Sequence, residues 1–282
     1  MQVRDAFGEP IEVTALFRPE RAALLDVLRT LTDEEWVRST ACPGWSVHDI
    51  SLHLLGDDLR RLSAGRDRHA ASHLGPVTSL DELVPLLDEQ NESWVRGARM
   101  LSPKLTIELL EWSADPTERH LTELPPEQTG WSVSWVAPDP APNWMDVARE
   151  YTERWVHQQQ IRDAVGKPGL TERRFLAPVI DAFLRALPRA LPTEGYADGT
   201  VVHVHVRDPL DRTWAARVAD GQWRLSEPSE RPDASVLIDP DALWRRAVRM
   251  MDLEQVTTRA RLDGDRQLAA AVLEIRSAIV AV

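Results

Sequence analysis

The spacing of apolar residues changes once along the chain, and that change limits the architecture more than any other feature. Over roughly the first two-thirds it is helical: Ala22, Leu25, Val27 and Leu28 stripe the stretch from Arg18 to Leu31, and Val47, Ile50, Leu54 and Leu55 stripe the one after Ser46. From Val201 the period becomes two, with Val202, Val204 and Val206 alternating against Val201, His203 and His205 as in a half-buried strand. Helices grouped first and strands later point to an α+β chain of two domains. A helical bundle is expected over residues 1–170, and a smaller α+β domain over 171–282 with a linking helix at about 174–190.

Local signals place the elements. Thr32 before Asp33-Glu34-Glu35, and Ser46 with Asp49 three residues on, read as helix N-caps, the second helix reaching about Leu62. A helix over Leu80–Leu101 must take Pro85 in its first turns or kink there. Ser102-Pro103 opens a helix expected to end near Trp112. Residues 115–143, with Pro125-Pro126, Gly130, Pro138, Pro140 and Pro142, read as a long structured loop of the kind that tends to be functional. A long helix from Trp144 to Val165 stops at Gly166-Lys167-Pro168-Gly169. Further strands are expected at Arg212–Val218 and Gln222–Leu225, joined through Asp220-Gly221, and at Ser235–Ile238 and Arg259–Leu262. Helices follow Asp239-Pro240, to about Met251, and Gly264-Asp265.

Charge excludes some partners. With 33 Lys and Arg against 45 Asp and Glu, the net charge of −12 repels nucleic-acid backbones and anionic lipid. No apolar run approaches the roughly 18 residues of a membrane span, and the N-terminus lacks the pattern of a secretory signal. Cys42 stands alone, so no disulfide can form within the chain, and a cytoplasmic protein is expected. Only Lys104 and Lys167 could serve as Schiff-base lysines.

Glu153 and His157 are four residues apart on the long helix, a spacing that lets both reach one ion. From spacing alone this is a weak signal, and a hydrogen-bonded pair on a solvated face is the commoner outcome. The helix is rich in apolar residues (Trp144, Val147, Trp155, Val156, Ile161), so a carboxylate there faces inward and needs a partner. His53 lies on the apolar side of the helix after Ser46. Two histidines and a glutamate in a helical bundle are the ligand types and number of an open zinc-like site. His203 and His205 have two-histidine sheet spacing without a third ligand and are expected on a solvated face. Cys42 is expected to be inert packing, and His48 to point away, exposed. Trp131, Trp135 and Trp144 either wall a cleft or fill the core.

The segment Cys42-Pro43-Gly44-Trp45-Ser46-Val47-His48-Asp49-Ile50 through His53-Leu54, with Glu153-Arg154-Trp155-Val156-His157 and Ile161-Arg162-Asp163-Ala164-Val165-Gly166-Lys167-Pro168, resembles the mycothiol-dependent maleylpyruvate isomerase family of DinB-like metalloproteins. The resemblance implies an N-terminal four-helix bundle binding a divalent metal, with zinc the expected ion, through His53, Glu153 and His157. It also implies a sterol-carrier-like α+β domain over about 200–282, where Pro232-Asp233-Ala234-Ser235-Val236 and Leu262-Asp263-Gly264-Asp265 carry the likeness. That domain contributes a substrate-binding arginine to an interdomain cleft in the family. Its nearest match is Arg249, with Arg245 or Arg246 as alternatives because the segment departs from the commoner Trp-Gly-Arg pattern, and a solvated arginine on a surface helix reads as well.

The function this implies is a metal-dependent, mycothiol-using enzyme whose thiolate adds to an electrophile. In an isomerase the thiolate adds to the cis double bond of maleylpyruvate, the bond rotates, and elimination gives the trans product. A mycothiol S-transferase would use the same metal and thiol. A noncatalytic protein holding an apolar ligand in residues 200–282 is the reading from a different class, and it needs a tunnel there. The expected partners are a small substrate and a low-molecular-weight thiol, with no nucleic acid and no membrane.

Overall fold

In a computed structural model of the chain, the described residues are 7–69, 80–137 and 140–279. Residues 1–6, which open the N-terminus read for a targeting signal, and Pro138 of the expected loop lie outside them. The chain divides into two compact units: a helical one of Glu12–Gln128 and Glu150–Thr171, and a sheet-containing one of Met1–Ile11, Thr129–Arg149 and Glu172–Ala281. The protein is an α+β chain with helices grouped first and the main sheet last.

The helical unit is built from α1 (Phe17–Leu28), α2 (Asp33–Trp36), α3 (Val47–Arg60), α4 (Leu80–Ala98), α5 (Pro103–Glu123) and the part of α6 (Asn143–Ala164) from Glu150 onward. Both expected caps form reciprocal boxes. The Ser46 hydroxyl accepts from the Asp49 N–H at 3.2 Å while the Asp49 carboxylate accepts from the Ser46 N–H at 2.9 Å. Thr32 and Glu35 do the same for α2. Nearly all of α3 is buried, including Ile50, His53, Leu54 and Leu55, and it continues into a π-helical turn at Arg61–Arg66.

The helix opened by Ser102-Pro103 does not end at Trp112. It runs through Pro116 to Glu123, with Leu110, Ser113, Thr117 and Leu121 buried on one face at three- and four-residue spacing. Burial along that face outweighs the hydrogen bond that Pro116 cannot donate. Part of the expected loop is instead a short antiparallel pair, β1 (Thr129–Ser132) with β2 (Pro140–Pro142).

In the sheet unit, β3 (Val201–Val206), β4 (Arg212–Ala219), β5 (Gln222–Ser226), β6 (Ala234–Ile238) and β7 (Ala260–Gly264) form one sheet of order β5-β4-β3-β6-β7. Only the β3–β6 pairing is parallel. Asp220 and Gly221 both take positive φ (54° and 69°), turning β4 tightly into β5. Val202, Val204 and Val206 are buried, as the alternation predicts, with Val204 opposite Trp214 and Val236.

The expected linking helix is two, α7 (Arg173–Leu184) and α8 (Leu187–Ala190), because Pro188 has no N–H with which to bond the Leu184 carbonyl. Helix α9 (Pro240–Ala247), capped by Asp239, stops short of Met251, and α10 (Leu253–Thr258) and α11 (Arg266–Val272) follow. Among the described residues, no helix is long and apolar enough to cross a membrane.

Candidate metal centre

Helices α3 and α6 bring His53, Glu153 and His157 together. His53 Nε2 lies 3.1 Å from His157 Nε2 and 3.3 Å from Glu153 Oε1, and His157 Nε2 lies 3.1 Å from the same oxygen. Three ligand atoms each about 2.0–2.1 Å from a tetrahedral ion stand about 3.3 Å from one another, so this triangle has the size that such an ion sets. Both histidines are 3% exposed. Two imidazole nitrogens aimed at each other in a buried site repel unless a proton or a cation lies between them. The donor set therefore fits a divalent ion, and it is the one such His/Cys/Asp/Glu cluster among the described residues.

Hydrogen bonding and charge couple Glu153 and His157. Burial alone would raise the Glu153 carboxyl, but hydrogen bonds from His157 and His53 and their positive charge overcome it and hold the group well below the usual carboxylate range. At His157 burial favours the neutral ring, yet contacts with Cys42 and the Glu153 carboxylate carry its pKa well above the ordinary histidine value.

Three neighbours escaped the sequence reading. Asp57, four residues beyond His53 on α3, places Oδ2 3.3 Å from His53 Nε2 and accepts from Arg60 through Oδ1. Gln160 turns its side-chain oxygen to His157 Nδ1 at 2.7 Å. Trp45 packs a tilted indole 5.3 Å from the His53 ring and donates to Glu92 at 2.7 Å. The signal for the first two was present in their spacing of four and three residues from a histidine on the same helix.

Other candidates fall elsewhere. His48 is not exposed: it is half-buried, bonded to Thr106 Oγ1 at 3.1 Å and edge-on to Trp36, and burial lowers its pKa. His203 accepts from the Ser229 N–H, and His205 bonds Thr213 and Asp211, so both are half-buried and partnered where a solvated face was expected. Cys42 is buried, its thiol 3.3 Å from the Gln160 oxygen. Trp135 and Trp144 are core residues and Trp131 is 37% exposed.

The arginines after β6 separate by their partners. Arg245 pairs with Asp241 and lies over the Trp244 ring, and Arg246 is tied to the Leu273 carbonyl and Glu274. Arg249 differs: its buried Nε has no hydrogen-bond partner, and its backbone is left-handed, φ 63°, in the turn that ends α9. A non-glycine residue held in that region stores strain, a feature that gathers at functional sites.

A helical unit that brings two histidines and a glutamate together from two helices offers a donor set that could hold a metal ion. A sequence model described as the mycothiol maleylpyruvate isomerase N-terminal domain matches residues 17–162, more than half of the chain, and the chain belongs to that family. Among solved structures, a mycothiol-dependent maleylpyruvate isomerase is similar at 12% identity, over 84% of this chain and 88% of that one, with a TM-score of 0.49. A sterol carrier protein-2 like-3 from Aedes aegypti is similar at 18% identity over 33% of this chain and 92% of its own, with a TM-score of 0.24. No curated protein matches significantly.

Proposed function

We propose that the chain is a divalent-metal-dependent, mycothiol-using enzyme that turns an activated cis double bond into the trans form, with maleylpyruvate or a close relative as substrate. The observation that carries this reading is the convergence of His53, Glu153 and His157 within a chain of the family. Their chemistry suits zinc, which takes imidazole nitrogen and carboxylate oxygen and, with three protein ligands, keeps a position open. When bound, the ion and the thiol supply a thiolate at neutral pH, the nucleophile that permits rotation about the bond by addition and elimination.

The chain's own residues do the rest. His53 and His157 present neutral Nε2 atoms, and the Glu153 carboxylate offsets one of the two positive charges. Asp57, beside His53, is placed to take the proton of an entering thiol. The Trp45 indole excludes water from one side of His53. We assign Arg249, which of Arg245, Arg246 and Arg249 is the one whose Nε is buried without a hydrogen-bond partner, to a substrate carboxylate, because a guanidinium fork matches that group. A net charge of −12 disfavours anionic substrate in general, so such a local cation is required. The cytoplasm, where thiols stay reduced, is the compartment such an enzyme needs.

The test measures maleylpyruvate turnover with and without mycothiol, for the wild type and Glu153→Ala, beside the metal content of each. Mycothiol-dependent turnover lost with the metal in Glu153→Ala supports the reading. Thiol-independent turnover overturns it. Rapid conjugation of a generic electrophile without isomerisation replaces isomerase with thiol transferase.

A further inference from the structure

We propose that Gln160 is the positioning residue that decides which nitrogen of His157 is open to an ion, and that Cys42 holds Gln160 in the orientation this requires. The inference rests on the reading of His53, Glu153 and His157 as a metal site and assigns two further residues to it.

The argument starts from what an amide oxygen can do. Gln160 Oε1 lies 2.7 Å from His157 Nδ1. An oxygen only accepts, so Nδ1 carries the hydrogen, and the lone pair of the neutral ring is then on Nε2. Nε2 is the atom that faces His53 Nε2 and Glu153 Oε1. Were the amide reversed, its NH2 group would face Nδ1, the ring hydrogen would move to Nε2, and no lone pair would be left for the ion. The orientation of one buried amide therefore sets whether His157 can be a ligand.

Something must fix that orientation, because the two ends of an amide have nearly the same shape. Cys42 supplies a second donor: its Sγ lies 3.3 Å from the same Oε1. With the amide reversed, the thiol would have to turn from donor to acceptor at the same time as the ring hydrogen moved to Nε2. Gln160 is fully buried and Cys42 is 4% exposed, so water cannot stand in for either partner. The cysteine that the sequence leaves alone thus bears on His157 through the glutamine as well as by its own contact with the ring.

Zinc affinity, measured on the full chain by competition with a chromogenic chelator, tests this with Gln160→Leu, Gln160→Glu, Cys42→Val and Cys42→Ser. Removing the acceptor in Gln160→Leu is expected to weaken zinc binding about 10–100-fold. Gln160→Glu keeps an acceptor and is expected to retain binding within a few-fold. Cys42→Val is expected to lose about twofold, the share of a weak hydrogen bond, with Cys42→Ser close to wild type. In the cobalt-loaded protein, the exchangeable Nδ1 proton of His157 is expected as a slowly exchanging shifted resonance that Gln160→Leu loses. Wild-type affinity in Gln160→Leu overturns the proposal, and so does an equal loss in Gln160→Leu and Gln160→Glu, which is what packing alone gives. Absence of Glu153-dependent zinc binding in the wild type overturns the metal site itself, whereas Glu153-dependent binding indifferent to Gln160 overturns only this inference.

Discussion

Below the candidate ligands, the helical unit buries a cluster of charges. Asp58, with no exposed side-chain surface, accepts from Arg21 Nη2 through both carboxylate oxygens (2.8 and 3.1 Å), from Arg154 at 2.8 Å and from Ser113 at 2.6 Å. Glu150 takes the other side of Arg154 at 2.6 Å. Burial would raise the Asp58 carboxyl, but the two guanidinium groups and the Ser113 hydroxyl lower it below the ordinary value. An acid depressed in the folded state stabilises above its unfolded pKa of about 3.9, and that contribution is lost as pH falls through the lower, folded pKa. Asp58→Asn leaves two buried cations short of a counter-charge and is expected to lose about 3–5 kcal/mol at pH 7. The difference from wild type should shrink in the acid limb of a denaturation series. At Arg249 the trade runs the other way. Arg249→Gly relieves the left-handed backbone and is expected to gain about 1 kcal/mol of stability, while KM for an anionic substrate rises. An unchanged KM would remove Arg249 from the site. The charge cluster was not legible in the sequence, since Arg21, Asp58 and Arg154 are each ordinary charged residues until the helices meet. The convergence of His53, Glu153 and His157 was legible only through the family resemblance, since the i,i+4 spacing of Glu153 and His157 alone is a weak signal and His53 lies a hundred residues away.

Elements set how firmly the ligands are held. Helix α3 carries His53 and Asp57, and its Gly56 lies against Trp94 of α4, whose indole donates to the Leu52 carbonyl at 2.7 Å. A Cβ at position 56 would come 2.4 Å from Trp94 Nε1. Gly56→Ala must therefore push α4 away or break that hydrogen bond, against a helix-propensity gain of about 1 kcal/mol. Overpacking typically costs about 1–3 kcal/mol, so a lower midpoint in urea with an unchanged slope is expected. An increase in stability would show that α4 yields freely. Capping boxes were readable at Ser46 and Thr32 because their chemistry is local. The extension of α5 through Pro116 was not, because what keeps Leu110, Thr117 and Leu121 in register is the surface they pack on, and no property of the segment itself reveals it. The break between α7 and α8 falls at 185–186, and Pro188 just beyond it, with no N–H for the Leu184 carbonyl, was visible in the sequence.

At the scale of the molecule, the single change of period was enough to foresee helices first and a sheet last. It could not foresee that residues 7–11 group with the sheet unit. That link rests on Phe7, fully buried, and on Arg185 donating to the Phe7 and Glu9 carbonyls at 2.7 and 2.9 Å, across more than 170 residues of chain. The candidate ligands all lie in the helical unit, and this gives the metal reading a consequence beyond activity. An ion that binds only the folded state stabilises it by mass action, about 2.7 kcal/mol when free ion exceeds its dissociation constant a hundredfold. His53 comes from α3 and the other two ligands from α6, so unfolding must separate them and release the ion. Zinc is therefore expected to raise the melting temperature and to slow deuterium uptake across Val47–Arg60, and a chelator to reverse both. Glu153→Ala leaves two histidines that bind too weakly to couple the helices, so its melting temperature should not respond to the same zinc concentration. A response equal to wild type would mean that zinc stabilises the chain from somewhere else.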